Sequence, residues 1–284
     1  MSPAAVGAAT PRVEIVAAGN EVLLGDVLDS NSHHLCRLVT ALGGAVTRSV
    51  LVRDDLDAIA TEVRGVVARS PALAFTVGGL GPTADDMTLA GLALGLGVPL
   101  ELHPDAERLV AEAYARFAAA GLVPFAELNE ARRKMARLPR GAEPVPNPVG
   151  GAPGVVLRRG ATTFVSLPGV PEELVAIAEQ SLDAVFARIF QAAHYEERTL
   201  VVDLQDESAI ADILSSVEAA HPEVYVKSRA KVMGPAVRLR ITLSARGDDA
   251  ARVDALLRAP AAELLERIAA AGFAIRPEEP EAGS

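Results

Sequence analysis

The alternation of short apolar segments with amphipathic ones is the feature that most limits how this chain can fold. Strand-like runs at Val13 to Ala18, Ala45 to Val52 and Leu73 to Val77 are separated by helical patterns at Ser32 to Leu42 and Asp55 to Arg69. Each strand and helix together occupy about 30 residues, which is typical of a parallel sheet covered by helices on both faces. The sequence therefore predicts an α/β sandwich for the first half of the chain.

The same domain continues beyond this alternation through a segment rich in proline and glycine. The composition of Leu138 to Gly154 predicts no regular structure there, and we interpret the segment as a shaped loop rather than a linker. The remaining elements predicted for this domain are helices at Thr88 to Leu96, Pro104 to Ala120 and Pro171 to Phe190, and strands at Val155 to Arg158 and Thr162 to Leu167.

A second, smaller unit is predicted to begin near Glu196. Its order is a strand (RTLVVDL), a helix from Asp206 to Ala219, two strands (EVYVKS and AVRLRITLSA) and a helix from Asp249 to Ala271. This order predicts a small α+β domain at 196–275 that follows a first domain at 12–192. The first dozen residues and the acidic tail after Pro277 are expected to be disordered.

Composition narrows the classes of function. The net charge of −10 argues against general nucleic-acid binding, and an anionic ligand would need backbone amides or a metal ion. Neither a signal peptide nor an apolar run near the roughly 20 residues that span a bilayer is evident, so we expect a soluble cytoplasmic protein without a membrane partner. Cys36 stands alone on the apolar side of a helix, and the histidines lack metal-ligand spacing, so covalent and histidine-metal catalysis are disfavoured.

A glycine-rich loop, GGLGPTADDMT, follows the strand that ends at Val77 and leads into a helix. Glycines allow a sharp turn and close backbone approach, while free amides at a helix start favour an anion. Asp85 and Asp86 could simply cap the helix or could provide hard oxygen ligands for Mg²⁺ or a similar ion. Because capping needs one carboxylate and no glycines, we favour a phosphate and metal site. Its candidate phosphate contacts are Gly78, Gly79, Gly81, Pro82 and Thr83.

Three further loops are expected to reach the same edge of the sheet. GNEVLLGDVLDSN, residues 19–31, contains Glu21 and Asn31 and follows the first strand, so it should face the glycine-rich loop. Ordinary turn chemistry, with Ser30 or Asn31 as helix N-cap, is the alternative for this segment. NPVGGAPG and LPGVPE could likewise be simple turns; their candidate site residues are Asn147, Gly150, Pro168 and Gly169.

These four motifs, in this order, closely resemble the CinA family (competence/damage-inducible protein A), whose N-terminal domain is related to the molybdopterin-binding domains of MogA, MoaB and MoeA. The resemblance covers residues 12–182. It implies a three-layer α/β/α sandwich of the molybdopterin-binding type that binds its ligand over the glycine-rich loop. Residues 196–275 more loosely resemble the KH-type module that follows this domain in CinA proteins.

The resemblance implies metal-dependent hydrolysis of the pyrophosphate of ADP-ribose or a similar adenosine diphosphate compound. In that reading Asp86, Asp85 and Glu21 are the catalytic metal ligands, the glycine-rich loop cradles the phosphates, and residues 147–154 wall the pocket. The metal would be Mg²⁺ or Co²⁺, with K⁺ as a further candidate ion, and the protein a homodimer. The rival hypothesis is a non-catalytic or accessory molybdopterin-binding protein, because phosphate cradling is common to a nucleotide and a pterin ligand.

The sequence departs from the CinA pattern at three places. Asn20 stands where many relatives have Thr, and Val170-Pro171 where many have Pro-Pro, which affects substrate selection. The C-terminal amidohydrolase domain of full-length CinA has no counterpart in this sequence. Nicotinamide mononucleotide deamidation is therefore not expected.

Overall fold

The computed structural model describes residues 10–190, 194–204, 206–233, 236–247 and 249–276. They divide into two compact units: the larger spans residues 10–40 and 44–190, and the described residues from 194 onward belong to the smaller. The expected disorder of both chain ends concerns mainly residues 1–9 and 277–284, which lie outside the described residues. Within the described parts of the chain, no helix combines the length and apolar character needed to cross a membrane.

A six-stranded mixed sheet forms the centre of the larger unit, in the order β2-β1-β3-β8-β7-β6. Strand β1 lies parallel to both β2 and β3, and β3 lies parallel to β8, whereas β7 is antiparallel to β8 and to β6. The strands of this unit, which also include the separate antiparallel pair β4 and β5, are β1 (Arg12–Ala18), β2 (Ala45–Val52), β3 (Leu73–Val77), β4 (Leu100–Leu102), β5 (Arg137–Pro139), β6 (Glu143–Val145), β7 (Gly154–Arg159) and β8 (Thr162–Leu167).

Helices cover both faces of this sheet, so its central strands are buried except at Arg12, the first residue of β1. All residues of β3 are buried, as expected for a parallel strand between two helical layers. The helices are α1 (Asn20–Leu23), α2 (Ser30–Ala41), α3 (Leu56–Arg69), α4 (Thr88–Leu96), α5 (Pro104–Ala119), α6 (Glu130–Lys134), α7 (Pro171–Gln180) and α8 (Asp183–Phe190). Helices α3, α4 and α5 pack in one core with Val16, Ala74 and Phe164, and α8 packs on the other face through Phe186 against Phe75. The predicted α/β sandwich is thus confirmed. The expectation that 138–154 lacks regular structure is wrong, because β6 and most of β5 lie within this segment and pair with β7 and β4.

Several helix ends are fixed by aspartate side chains rather than by the residues that the sequence suggested. Asp29 Oδ1 accepts the Ser32 amide (2.9 Å), so Asp29 caps α2, and the alternative that Ser30 or Asn31 is the N-cap is wrong. Asp55 caps α3 by accepting the Ala58 amide (2.8 Å), so this helix begins one residue later than predicted. Capping by aspartate satisfies amides that the first helical turn leaves unpaired.

The predicted helix from Pro171 to Phe190 is also wrong, because it is two helices. Helix α7 ends before Ser181, whose hydroxyl donates to the carbonyl of Pro146 (3.0 Å). Leu182 is fully buried, and α8 begins directly after it. The chain therefore turns here to bury Leu182, a tertiary preference that the helical pattern does not reveal.

The smaller unit is an antiparallel sheet in the order β10-β11-β9-β12 with two helices. Its elements are β9 (His194–Val202), a 3-10 turn (Glu207–Ile210), α9 (Ala211–Ala220), β10 (Tyr225–Met233), β11 (Ala236–Gly247), α10 (Ala250–Ala270) and β12 (Ile275–Arg276). Leu239, Ile241 and Leu243 alternate along β11 into a core that contains Leu257 and Leu264 of α10. The separate, smaller α+β unit is confirmed, although its first α-helix begins at Ala211 after a 3-10 turn rather than at Asp206, and β12 was not predicted.

Candidate functional site

A cleft of 580 Å³ lies at the edge of the larger sheet where the parallel strands end. The loops that follow β1, β2, β3 and β8 all contribute to its lining, as the topology of open α/β sheets requires. Its volume is in the range that accommodates a nucleotide-sized ligand. The lining residues include Glu21, Asp54, Gly78, Gly79, Gly81, Pro82, Asp85, Asp86, Tyr114, Met135, Gly151, Ala152, Pro168, Gly169, Val170 and Glu173.

Two consecutive glycines make the turn from β3 into the cleft. Gly78 and Gly79 have φ values of 90° and 59°, a region that side chains strongly disfavour. A Cβ on Gly78 would lie 2.3 Å from the carbonyl oxygen of Ala18, and one on Gly79 would lie 2.6 Å from Thr88 Oγ1. These glycines are therefore required by the fold itself, whether or not a ligand also approaches their backbone.

The acidic turn of the same loop is held by Thr83. The Thr83 amide donates to Asp86 Oδ2 (2.8 Å), and the Thr83 hydroxyl reaches the carboxylates of both Asp85 and Asp86. The hydroxyl hydrogen bond, together with the Asp85 backbone amide, lowers the pKa of Asp85. Neither aspartate caps α4, whose N-cap is Met87 without a side-chain hydrogen bond. The capping alternative is thus wrong, and the carboxylates lie at the cleft.

Lys134, from the short helix α6, hydrogen-bonds to the backbone of this turn. Its ammonium group donates to the carbonyl oxygens of Asp86 (2.6 Å), Gly81 (3.5 Å) and, at short range, Thr83. An ammonium has three protons, so these three acceptors use all of them. Burial lowers the pKa of Lys134, although Asp86 and Asp85 act against this shift. Lys134 therefore holds the loop in shape and partly neutralises its aspartates.

Four carboxylates surround this part of the cleft, and we call Glu21, Asp54, Asp85 and Asp86 the acidic rim. Asp54 follows β2 and accepts the Asn20 amide through Oδ2 (2.8 Å). Burial raises the pKa of Asp54, and the nearby charges of the other three rim carboxylates raise it further, against the effect of the Asn20 hydrogen bond. The rim is thus a site of negative potential that favours a cation.

A second part of the lining, which we call the loop wall, consists of the loop 147–152 and Glu173. The buried Asn147 side chain donates to the Ala152 carbonyl (2.8 Å) and to Glu173 Oε2 (2.7 Å), while its oxygen accepts the amides of Val149 (3.0 Å) and Gly150 (2.7 Å). All of its hydrogen-bonding capacity is therefore used within the protein. Its contribution to the cleft is to shape the loop and hold Glu173.

The structure places the predicted site residues in two groups. Most of them line the cleft, namely Glu21, Asp85, Asp86, Gly78, Gly79, Gly81, Pro82, Pro168 and Gly169. Thr83, Asn31, Asn147 and Gly150 do not line it and instead support residues that do. Asn31, for example, donates to the carbonyl oxygen of Gly169 (2.7 Å) and so positions the loop after β8.

Asp54, Lys134, Tyr114 and Glu173 are cleft or supporting residues that the sequence did not single out. Asp54 could have been found, because it follows a strand of the parallel sheet just as Glu21 and Asp85 do. Glu173 directly follows the motif LPGVPE, so it lies one residue beyond the segment that was interpreted as a loop. Lys134 and Tyr114 carry no local signal, because they reach the site through tertiary packing of α5 and α6.

The carboxylates of the acidic rim could hold a divalent cation only if other ligands complete its coordination. Among the described residues, no three His, Cys, Asp or Glu side chains are grouped closely enough to form a metal site by themselves. Mg²⁺ in phosphate-binding sites commonly takes one or two carboxylates, with phosphate oxygens and water completing its shell. The rim could therefore hold a cation only together with a phosphorylated ligand, through one or two of its carboxylates, and the candidates are Asp85, Asp86 and Glu21.

Nucleophilic chemistry at Cys36 finds no support in its surroundings. Burial in α2, with the charge of Asp29 adding to it, raises the pKa of the Cys36 thiol. A thiolate is the reactive form of cysteine, so this environment disfavours it.

The family model described as probable molybdopterin binding domain matches residues 14–218. The chain belongs to this family. A protein of Aeropyrum pernix is 39% identical over 249 residues, covering 87% of this chain and 90% of that protein. A protein of Pyrobaculum arsenaticum is 38% identical over 241 residues, covering 84% and 88% respectively.

Among solved structures, the protein CinA of unknown function from Thermoplasma acidophilum is similar to the larger unit. It is 33% identical with a TM-score of 0.55, and the match covers 62% of this chain and 98% of that one. The larger unit is therefore a CinA-like domain of the molybdopterin-binding type, which agrees with the four sequence motifs and with the position of the cleft.

Proposed function

We propose that the protein hydrolyses the pyrophosphate bond of ADP-ribose or a similar adenosine diphosphate compound with the help of a divalent cation. The observation that carries this proposal is the acidic rim beside the glycine turn. A diphosphate is repelled by Glu21, Asp54, Asp85 and Asp86, which Lys134 offsets only in part. A divalent cation removes that repulsion, so a cleft of this kind favours a diphosphate bound with its metal.

Each residue has a distinct part in the proposed reaction, in which water cleaves ADP-ribose to AMP and ribose 5-phosphate. A bound divalent cation supplies neutralisation of the anhydride charge and a more acidic water. One or two of the carboxylates of Asp86, Asp85 and Glu21 would hold it, and the turn at Gly78–Gly81 would face the phosphates. Asp54 uses Oδ2 for the Asn20 amide, and no residue that the structure describes donates to its Oδ1, which would be the atom that accepts the proton of the attacking water.

Asp86→Asn is the most direct test, because it removes charge while keeping the acceptor that Thr83 needs. We expect hydrolysis of ADP-ribose, followed as AMP release by chromatography at several Mg²⁺ and Co²⁺ concentrations, to fall by about 100-fold. The metal-free melting temperature should change little. Asp55→Asn is the matched control, because Asp55 caps α3 outside the cleft lining and Asn caps about as well as Asp.

The rival function, a non-catalytic molybdopterin-binding protein, is favoured by the family membership itself. A pterin with a phosphate group would use the same glycine turn, and no hydrolysis would be needed. Tight binding of such a pterin without turnover of ADP-ribose in any common divalent metal would support this rival. Wild-type turnover in Asp86→Asn would instead remove Asp86 from the mechanism.

A further inference from the structure

Glu173 presents a half-buried carboxylate to the cleft without a cation beside it. Its Oε2 accepts the hydrogen bond from Asn147, and Oε1 accepts none from the residues that the structure describes. No Lys, Arg or His in the described ranges forms an ion pair with it. Burial raises the pKa of Glu173, and neighbouring Glu172 raises it further, against the effect of Asn147. Such a carboxylate costs free energy unless a donor completes its hydrogen bonding.

The position of this carboxylate is fixed by its neighbours. Because Asn147 Oδ1 accepts two backbone amides, its amide nitrogen must point to Ala152 and Glu173, so the side chain cannot flip. A Cβ on Gly150 would lie 1.9 Å from Glu173 Oε2, so glycine is needed there to seat the carboxylate. One oxygen is thereby held inside the loop wall, and the other is left for a ligand.

The donor that completes Glu173 cannot be a phosphate, because like charges repel. A neutral N–H or O–H group of the ligand is the suitable partner for Oε1. Tyr114 lies beside Gly151 in the same cleft, with Arg132 over its ring. An aromatic side chain next to the carboxylate favours the N–H of a flat heterocycle over a sugar hydroxyl.

We propose that Glu173 is a specificity residue that accepts a hydrogen bond from an amino-substituted nitrogen heterocycle. This inference rests on the proposed function, because it assigns the base of the ligand to the loop wall and its phosphates to the acidic rim and glycine turn. Adenine and a 2-aminopterin both carry such an amino group. Their shared chemistry is an exocyclic N–H aimed at Glu173 Oε1.

Glu173→Gln tests the proposal with nearly the same shape. Because Asn147 donates to this side chain, the glutamine oxygen should take the Asn147 hydrogen bond and turn its NH₂ group toward the cleft. The variant would therefore replace an acceptor by a donor. Wild-type protein should bind AMP at least about tenfold more tightly than purine riboside 5′-monophosphate, which lacks the amino group. Glu173→Gln should lose that preference, as measured by calorimetry with Mg²⁺ present, since neither compound contains a pyrophosphate.

Glu172→Gln is the matched control, because Glu172 is exposed, lies outside the cleft lining and should leave the preference unchanged. A parallel titration with 6-hydroxymethylpterin separates the two sources of the amino group: a tenfold loss with this compound alone identifies a pterin site. The proposal is overturned if Glu173→Gln matches the wild type with both classes of compound, or if the wild type neither prefers AMP nor binds the pterin. Turnover of ADP-ribose by the wild type, measured separately, tells whether the hydrolase proposal stands or fails independently.

Discussion

The acidic rim and the loop wall use the same kind of side chain for opposite purposes. In the rim, four carboxylates lie close enough for Glu21, Asp85 and Asp86 to raise the pKa of Asp54. In the loop wall, the charge of Glu172 raises the pKa of Glu173, and the groups next to the Glu173 carboxylate are the Asn147 side-chain amide and Gly150. Crowded carboxylates favour a cation, whereas an isolated half-buried carboxylate favours an N–H donor.

The two regions also differ in how the protein holds them. The residues of the acidic rim follow β1, β2 and β3, and Lys134 holds the turn at 81–86 by donating to its backbone carbonyl oxygens. The loop wall is organised by the single side chain of Asn147. Removal of either anchor should therefore affect a different property: catalysis for the rim and folding stability for the wall.

Lys134→Met should have the largest effect, and it should act on catalysis. The substitution leaves three carbonyl groups of the loop 81–86 without their shared donor. We expect hydrolysis of ADP-ribose to fall by about 100-fold, the loss that follows when catalytic groups shift by roughly 1 Å. Amide hydrogen exchange in residues 81–86 should become faster. A merely electrostatic role of Lys134 would leave this exchange unchanged.

Arg133→Met provides the comparison for Lys134. Arg133 lies next to it and pairs with Glu107 (3.0 Å) and Glu130 (3.2 Å) on the surface, where such pairs contribute little. Activity and exchange should stay close to wild type in this variant. If both substitutions reduce activity equally, the distinct role of Lys134 in the rim is contradicted.

The rim shows how far sequence reasoning reaches. Glu21 and Asp85 were predictable because loops after parallel strands meet at one edge, a rule that depends on strand order alone. The same rule extends to Asp54, although the pattern around it resembles an ordinary helix start. Lys134 was beyond prediction, because its role depends on how α6 packs beneath the loop 81–86, more than 45 residues away in sequence.

Asn147→Ala should have the next largest effect, this time on stability. It removes a buried side chain with four hydrogen bonds and leaves two backbone amides, a carbonyl and Glu173 with fewer partners. We expect a loss of about 2 kcal/mol in the free energy of unfolding, measured by urea denaturation. Asn129→Ala, which removes only the exposed N-cap of α6, should cost about 1 kcal/mol. Equal losses would show that the loop wall has no special dependence on Asn147.

The loop wall was predicted with less success for a physical reason. The motif NPVGGAPG suggested that Asn147 and Gly150 contact the ligand, and both instead face inward to Glu173. A sequence motif identifies which residues a loop requires but does not distinguish those that touch the ligand from those that shape the loop. The fold class was easier, because burial on both sheet faces leaves a continuous apolar pattern such as LAFTV in β3.

Asp54→Asn should have the smallest effect, and unlike Asn147→Ala it should stabilise the protein. Because the pKa of Asp54 is raised by folding, the folded protein binds more protons than the unfolded chain between the two pKa values, and stability falls as the pH rises through that interval. Above it, ionised Asp54 destabilises the metal-free protein, while solvent screening keeps the effect small. Asn removes the charge and still offers an oxygen to the Asn20 amide. We therefore expect the melting temperature in EDTA at neutral pH to rise by up to about 3 °C.

The pH dependence of that gain separates charge repulsion from a simple packing change. As the pH is lowered through the raised pKa of Asp54, this side chain becomes protonated in the wild type, and the difference between the two proteins should vanish. Asp55→Asn, at the neighbouring helix cap, should show no such gain at any pH. Addition of Mg²⁺ should stabilise the wild type more than the variant, because a cation relieves the same repulsion. A gain that persists unchanged at low pH, or a variant less stable than wild type at neutral pH, would show that the rim carboxylates do not repel one another enough to recruit a cation.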